Sequence, residues 1–142
     1  MDNIRDNKGL AYDVHSYFAP MKHSGYFNVG VQTKNESAKV AIEEVLKEME
    51  RIRKEPVTDK ELEDAKAYLT GSFPLKLDTN KKIAGMLTAF EFFNLGFDYP
   101  DRYPKIINSL TKDDILKVAR KYLNPDNYVM VVVGDLEKAG IK

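Results

Sequence analysis

The chain contains no cysteine in its 142 residues, which excludes disulfides, thiolate metal ligands and cysteine nucleophiles. It also lacks tryptophan and has only two histidines, His15 and His23. Net charge is absent as well, because 22 basic residues offset 22 acidic ones. No net field therefore draws the chain to nucleic acid or to an anionic membrane surface. No apolar run approaches the ~20 residues that a membrane-spanning helix needs. The opening residues Met1-Asp2-Asn3-Ile4-Arg5-Asp6 are polar and lack the apolar stretch of a secretory signal. Neither nucleic acid nor a membrane is an expected partner.

The scarcity of histidine also limits catalysis by metal. A helical zinc-peptidase site needs two histidines one turn apart, with a glutamate as base. His15 and His23 lie instead on either side of a turn, with no acidic residue at helical spacing, and read as polar groups near a sheet rim. No glycine loop lies between a strand and a helix in the arrangement that cradles phosphate. Ser16, Ser24, Ser37, Ser72 and Ser109 lack the sharp turn that exposes a nucleophile. No catalytic and no metal-binding residue is assigned.

What is present is a soluble, core-forming composition, 43% hydrophobic and 31% charged, of a length that suits one domain. Leu10 to Met21 alternates, with Leu10, Tyr12, Val14, Ser16 and Phe18 on one face and Ala11, Asp13, His15 and Tyr17 on the other. Tyr26 to Thr33 alternates again after Lys22-His23-Ser24-Gly25, so the two segments predict an antiparallel hairpin. From Glu36 the period becomes helical, through Ala38, Ala41, Ile42, Val45, Leu46, Met49 and Ile52, and Pro56 ends the helix near Glu55. Its carboxylates, among them Glu43, Glu44, Glu48 and Glu50, read as a solvated face.

Thr58-Asp59-Lys60-Glu61 has the pattern of a capping box and opens a second helix, which Gly71 and Pro74 should bend or loosen at its far end. A third helix is predicted over Thr79 to Leu95, with Gly96 suited to a left-handed cap. Pro100 and Pro104 bracket a short helical piece from about Tyr103 to Leu110, and Thr111 opens a last helix that ends before Pro125. Tyr128 to Val133 is apolar at consecutive positions and predicts a strand covered on both faces. The expected fold is α+β, two layers, a largely antiparallel sheet with helices packed on one face. Residues 1–135 form one domain in this reading and 136–142 a loose tail.

Arg5 and Tyr12 remain as candidates for chemistry. A guanidinium fork and a phenol on one sheet rim could hold a peptide carbonyl or carboxylate. The alternative is a surface arginine in a salt bridge and a tyrosine at the edge of the core.

Ile4-Arg5-Asp6-Asn7-Lys8-Gly9-Leu10-Ala11-Tyr12-Asp13-Val14 closely resembles a stretch of the pitrilysin/insulinase-like zinc peptidases, which include mitochondrial processing peptidase. Glu55-Pro56-Val57-Thr58 with Glu61-Leu62, Gly71-Ser72-Phe73, Tyr99-Pro100-Asp101-Arg102-Tyr103-Pro104 and Ala119-Arg120-Lys121-Tyr122-Leu123 resemble later pieces of the same family, in the same order. The resemblance implies the later portion of the second, non-metal domain, truncated at its N-terminus. In the family that domain closes over a peptide like one half of a clam shell, and an arginine and a tyrosine matching Arg5 and Tyr12 help to bind substrate. The inverted HxxEH zinc motif belongs to the front of the metal-bearing domain, so the chain alone is expected to be inactive and to hold no cofactor. Zinc is expected in a metal-bearing partner domain or subunit of a full endopeptidase. The alternative function is a non-catalytic scaffold of the same fold, like the core subunits of the respiratory bc complex. Loss of neighbouring strands would leave an unpaired sheet edge, which favours self-association.

Overall fold

A computed structural model of the chain describes Ile4 and residues 8–141. Their order is β1 (Asp13–Pro20), β2 (Gly25–Gln32), α1 (Ala38–Lys54), α2 (Asp59–Ser72), α3 (Asn80–Phe92), α4 (Tyr99–Ser109), α5 (Lys112–Tyr122) and a single turn, α6 (Leu136–Ala139). Short 3-10 turns stand at Asn35–Ser37 and Phe73–Leu77. The class is α+β, and among the described residues the sheet is the antiparallel pair β1 and β2. By proximity the chain divides into two units, Met1–Glu55 with Val118–Lys142, and Pro56–Lys117.

In the first unit the hairpin pairs from Asp13 opposite Gln32 to Pro20 opposite Gly25. Met21 donates its N–H to the carbonyl of Ser24 at 2.9 Å and closes the turn. Tyr12 continues the ladder by one bond, its N–H reaching the carbonyl of Gln32 at 2.8 Å. Helix α1 stops where proline requires: Glu55 is already extended, with ψ 139, because Pro56 crowds helical geometry in its predecessor. The N–H of Glu55 still reaches the Arg51 carbonyl, and the Arg120 guanidinium donates to the Arg53 carbonyl at 2.9 Å, so two of the helix's last free acceptors are satisfied.

Glu44 is the exception on the face read as solvated. It is 7% exposed and sits between the ammonium groups of Lys8 and Lys47, the latter at 2.8 Å. A buried carboxylate without partners would be costly, and two lysines remove that cost. They also hold its carboxyl below the usual glutamate range, Lys47 contributing most and Lys8 next.

In the second unit, α2 opens with the capping box that its sequence predicts. The N–H of Glu61 reaches the Thr58 hydroxyl at 3.1 Å, and the Thr58 N–H reaches the Glu61 carboxylate at 2.7 Å. At its far end the α-helix tightens into the Phe73–Leu77 turn, where Pro74 supplies no N–H to the ladder. Phe73, Phe90, Tyr99 and Tyr103 form a chain of ring contacts that fills this unit. Helix α3 ends at Phe92 rather than Leu95, and its left-handed cap is Asn94 with φ +59, while Gly96, with φ +83, is left-handed in the turn beyond it.

Three expectations about elements need correction. Helix α4 begins at Tyr99 rather than near Tyr103, because Pro100 falls in the first turn, where its missing N–H would have had no partner. Leu136–Ala139 is a capped turn rather than loose chain: the Asp135 side chain accepts from the Lys138 N–H at 3.1 Å, and Ala139 is buried. Residues 128–133 are not a covered strand. Among the described residues they make no backbone hydrogen bond, and Val129, Val131 and Val133 are 92%, 82% and 95% exposed.

Candidate functional site

Arg5 lies outside the described residues. Tyr12 stands immediately before β1 and is 65% exposed. The backbone around it is held from two sides, by its own N–H on Gln32 and by the Thr33 hydroxyl, which donates to the Leu10 carbonyl. A fixed backbone with a free phenol suits a residue that meets something from outside.

The register adds residues that alternation alone did not assemble. Asp13, His15 and Tyr17 share one face of β1, and Tyr26, Asn28, Gly30 and Gln32 lie opposite that face on β2. His15 Nδ1 is 2.7 Å from an Asp13 carboxylate oxygen, and its ring stacks toward Tyr17 at 6.4 Å between centroids. Tyr17 meets Tyr26 edge to face at 6.1 Å. Its hydrogen bond with Tyr26 and the charge of that neighbour raise the Tyr17 phenol above its ordinary value. The His15 ring has room to lie flat because Gly30 is opposite: a Cβ there would come within 2.6 Å of Nε2. The sequence showed Asp13, His15 and Tyr17 in alternation, but Tyr26 joins them only through the turn's register.

This face does not make a metal centre. His23 belongs to the turn, and among the described residues no group of three or more histidine, aspartate or glutamate side chains could hold a metal ion. The donor set does not fit zinc, and no chemical step is assigned to one.

A groove of about 560 Å³ lies in the first unit. One wall is β2 and the segment after it, the second is residues 128–133, and the third is the apolar side of α1 at Ala38, Ala41, Ile42, Val45 and Met49. Consecutive residues of β2, Phe27, Asn28 and Val29, line it together. Since neighbours on a strand point to opposite faces, the groove runs along the edge of β2 that β1 does not use. Tyr12 lies on its boundary, and Lys34 is the one charged lining residue among those described.

Comparison with known proteins bears on family and fold. Residues 1–69 match the family described as the peptidase M16 inactive domain. The chain is 34% identical over 129 residues to a protein of Helicobacter pylori called the non-peptidase homolog YmxG, covering 87% of the chain and 27% of that protein. It is 31% identical over 83 residues to the uncharacterized zinc protease YmxG of Bacillus subtilis, covering 58% of the chain and 20% of that protein. The crystal structure of a peptidase M16 inactive domain from Pseudomonas fluorescens superposes with a TM-score of 0.76 and 33% identity, over 89% of this chain and 30% of that one. A protease structure from Helicobacter pylori superposes at 0.71 with 20% identity over 87% of this chain and 30% of that one, which shows a shared fold. The chain spans less than a third of the length of each of these relatives.

Proposed function

Because the chain belongs to the pitrilysin/insulinase-like peptidases, matching their M16 inactive domain, we propose that it is a non-catalytic wall that holds an extended peptide while a metal-bearing partner domain or subunit carries zinc and hydrolysis. The observation that carries this reading is Tyr12: its backbone is pinned to the hairpin, its phenol is free, and it stands at the rim of an unpaired strand edge. An extended peptide can add main-chain bonds along such an edge, and the phenol can donate to one of its carbonyls. Arg5, seven residues earlier in the sequence, would supply the charged fork for a second carbonyl or a terminal carboxylate.

Since the chain has no tryptophan, a tryptophan-bearing extended peptide reports its own binding by fluorescence anisotropy without background. Tyr12→Ala and Arg5→Ala are each expected to weaken that binding several-fold, with Tyr12→Phe intermediate. Equal affinity in the parent and both alanine variants rejects the assignment. In a complete enzyme the same variants should lower peptide turnover.

A second reading is favoured by the description of the Helicobacter pylori relative as a non-peptidase homolog. Here the domain is a scaffold with no peptide to hold. Full folding and partner assembly with no peptide binding by the parent chain at any concentration tested would decide for it.

A further inference from the structure

We propose that Glu44, on α1, is the positioning residue for Tyr12: through Lys8 it holds in place the segment that carries the phenol. The inference rests on the peptide-holding reading above and adds to it a residue too buried to touch a peptide, at 7% exposure.

Tyr12 needs an anchor beyond the hairpin. Its bond to the Gln32 carbonyl lies just outside β1, and the last rung of a ladder opens most readily. The Thr33 hydroxyl donates to the Leu10 carbonyl, and the Leu10 N–H returns to the Ile4 carbonyl at 3.0 Å. These bonds stay within the hairpin and the chain leading into it, and none of them reaches a helix. At Gly9 the backbone turns with φ +59, a left-handed conformation that glycine adopts without strain. Just before that turn, among the described residues, the polar link from this segment to α1 is the ion pair of the Lys8 ammonium with Glu44, 36 residues away in sequence.

The two carboxylate oxygens of Glu44 divide the work. Oε1 accepts from Lys47, which lies on the same helix, at 2.8 Å, and Oε2 accepts from Lys8. One lysine therefore balances the buried charge locally, and the other ties down a distant piece of chain. Stability alone does not call for such a group, since apolar side chains of similar volume often serve a buried position as well as an ion pair does. What the pair adds is direction. Apolar contact is non-directional and would let the segment slide, whereas a charge-assisted hydrogen bond fixes where Lys8 sits, and with it the start of the short path to Tyr12.

Lys8→Gln and Lys47→Gln remove the same charge from the same carboxylate and leave it one lysine, but only the first cuts a link between distant segments. Lys8→Gln and Glu44→Gln should each weaken binding of the tryptophan-bearing extended peptide about fivefold, whereas Lys47→Gln and Lys8→Arg should leave it unchanged. The same two weakening variants should speed hydrogen exchange at the Leu10 and Tyr12 amides while the amides of α2 keep their protection. In a Tyr12→Ala background Lys8→Gln should have no further effect on affinity, because Lys8 acts through the phenol. Equal losses in Lys8→Gln and Lys47→Gln would reduce Glu44 to charge balance, and multiplying losses in the double variant would make Lys8 a direct contact; either result overturns the proposal. If the parent chain binds no peptide, the peptide-holding reading fails by itself and exchange still decides this one: faster rates at Leu10 and Tyr12 in Lys8→Gln uphold the tether, and rates equal to the parent's overturn it.

Discussion

Phe73 and Tyr103 lie ring on ring, their centroids 4.2 Å apart and their planes 19° from parallel. Phe73 is 7% exposed, and Tyr103 in turn meets Tyr99 at 5.8 Å. Truncating Phe73 to alanine removes one side of that stack and opens a cavity in the second unit. The expected loss is about 3–5 kcal/mol, read as a lower urea midpoint with an unchanged slope. A loss below about 1 kcal/mol would mean that the ring is not part of a packed core.

The capping box at Thr58 satisfies two backbone donors at the start of α2, where the helix's own ladder supplies no acceptors. Thr58→Ala should cost about 1 kcal/mol, while Thr58→Ser should cost only a fraction of that. Thermal unfolding of the two variants side by side separates the hydroxyl from the methyl group.

Gly96 combines φ +83 with a crowded neighbourhood, since a Cβ there would lie 2.7 Å from an Asp98 carboxylate oxygen. That carboxylate holds the Arg102 side chain at 2.6 Å, and Arg102 in turn donates to the Leu95 carbonyl. Gly96→Ala therefore strains the backbone and displaces an ion pair, at a combined cost of about 1–3 kcal/mol. Gly71→Ala is the control: its Cβ would meet nothing within 4 Å, and it sits inside α2, where alanine should stabilise by about 0.5–1 kcal/mol.

Glu44 gives the fold a dependence on acid. Its folded-state pKa is lowered by Lys47 and Lys8, so its contribution is present above the pKa of the unfolded chain and is lost as pH falls through the lower, folded value. Stability should decline below about pH 4.5, the ordinary glutamate region, and Glu44→Gln should flatten that decline while lowering stability at neutral pH. Parallel urea titrations at pH 7 and pH 3 measure both. An undiminished acid slope in the variant would assign the decline to other carboxylates.

The parts of the fold legible in the sequence were those fixed by local chemistry. Thr58 with Glu61 and Pro56 after Glu55 each act within a few residues, and the element boundaries they imply are present, whereas α3 ends at Phe92 and Asn94, φ +59, takes the left-handed cap expected of Gly96. Pro100 was misleading for a related reason: proline breaks a helix interior but suits its first turn, and composition alone does not say which position it holds. Residues 128–133 show the other limit. Consecutive β-branched residues report the capacity to be a strand, whereas pairing also needs neighbours, and those are supplied by tertiary structure. At the candidate site, Tyr12 was visible because it lies near the start of an alternating run. The company of Tyr26 with His15 and Tyr17 was not, because it depends on which residue faces which across the turn.

The register of the hairpin has a kinetic consequence. Its widest pair, Asp13 with Gln32, encloses only the hairpin itself, so every ladder bond among the described strands closes a short loop. Such a sheet can zip from its turn in about 1–10 μs, the usual time for a hairpin. Whatever slows this polypeptide on its way to the native state must therefore be sought in the assembly of its helices, or in the meeting of one molecule with another.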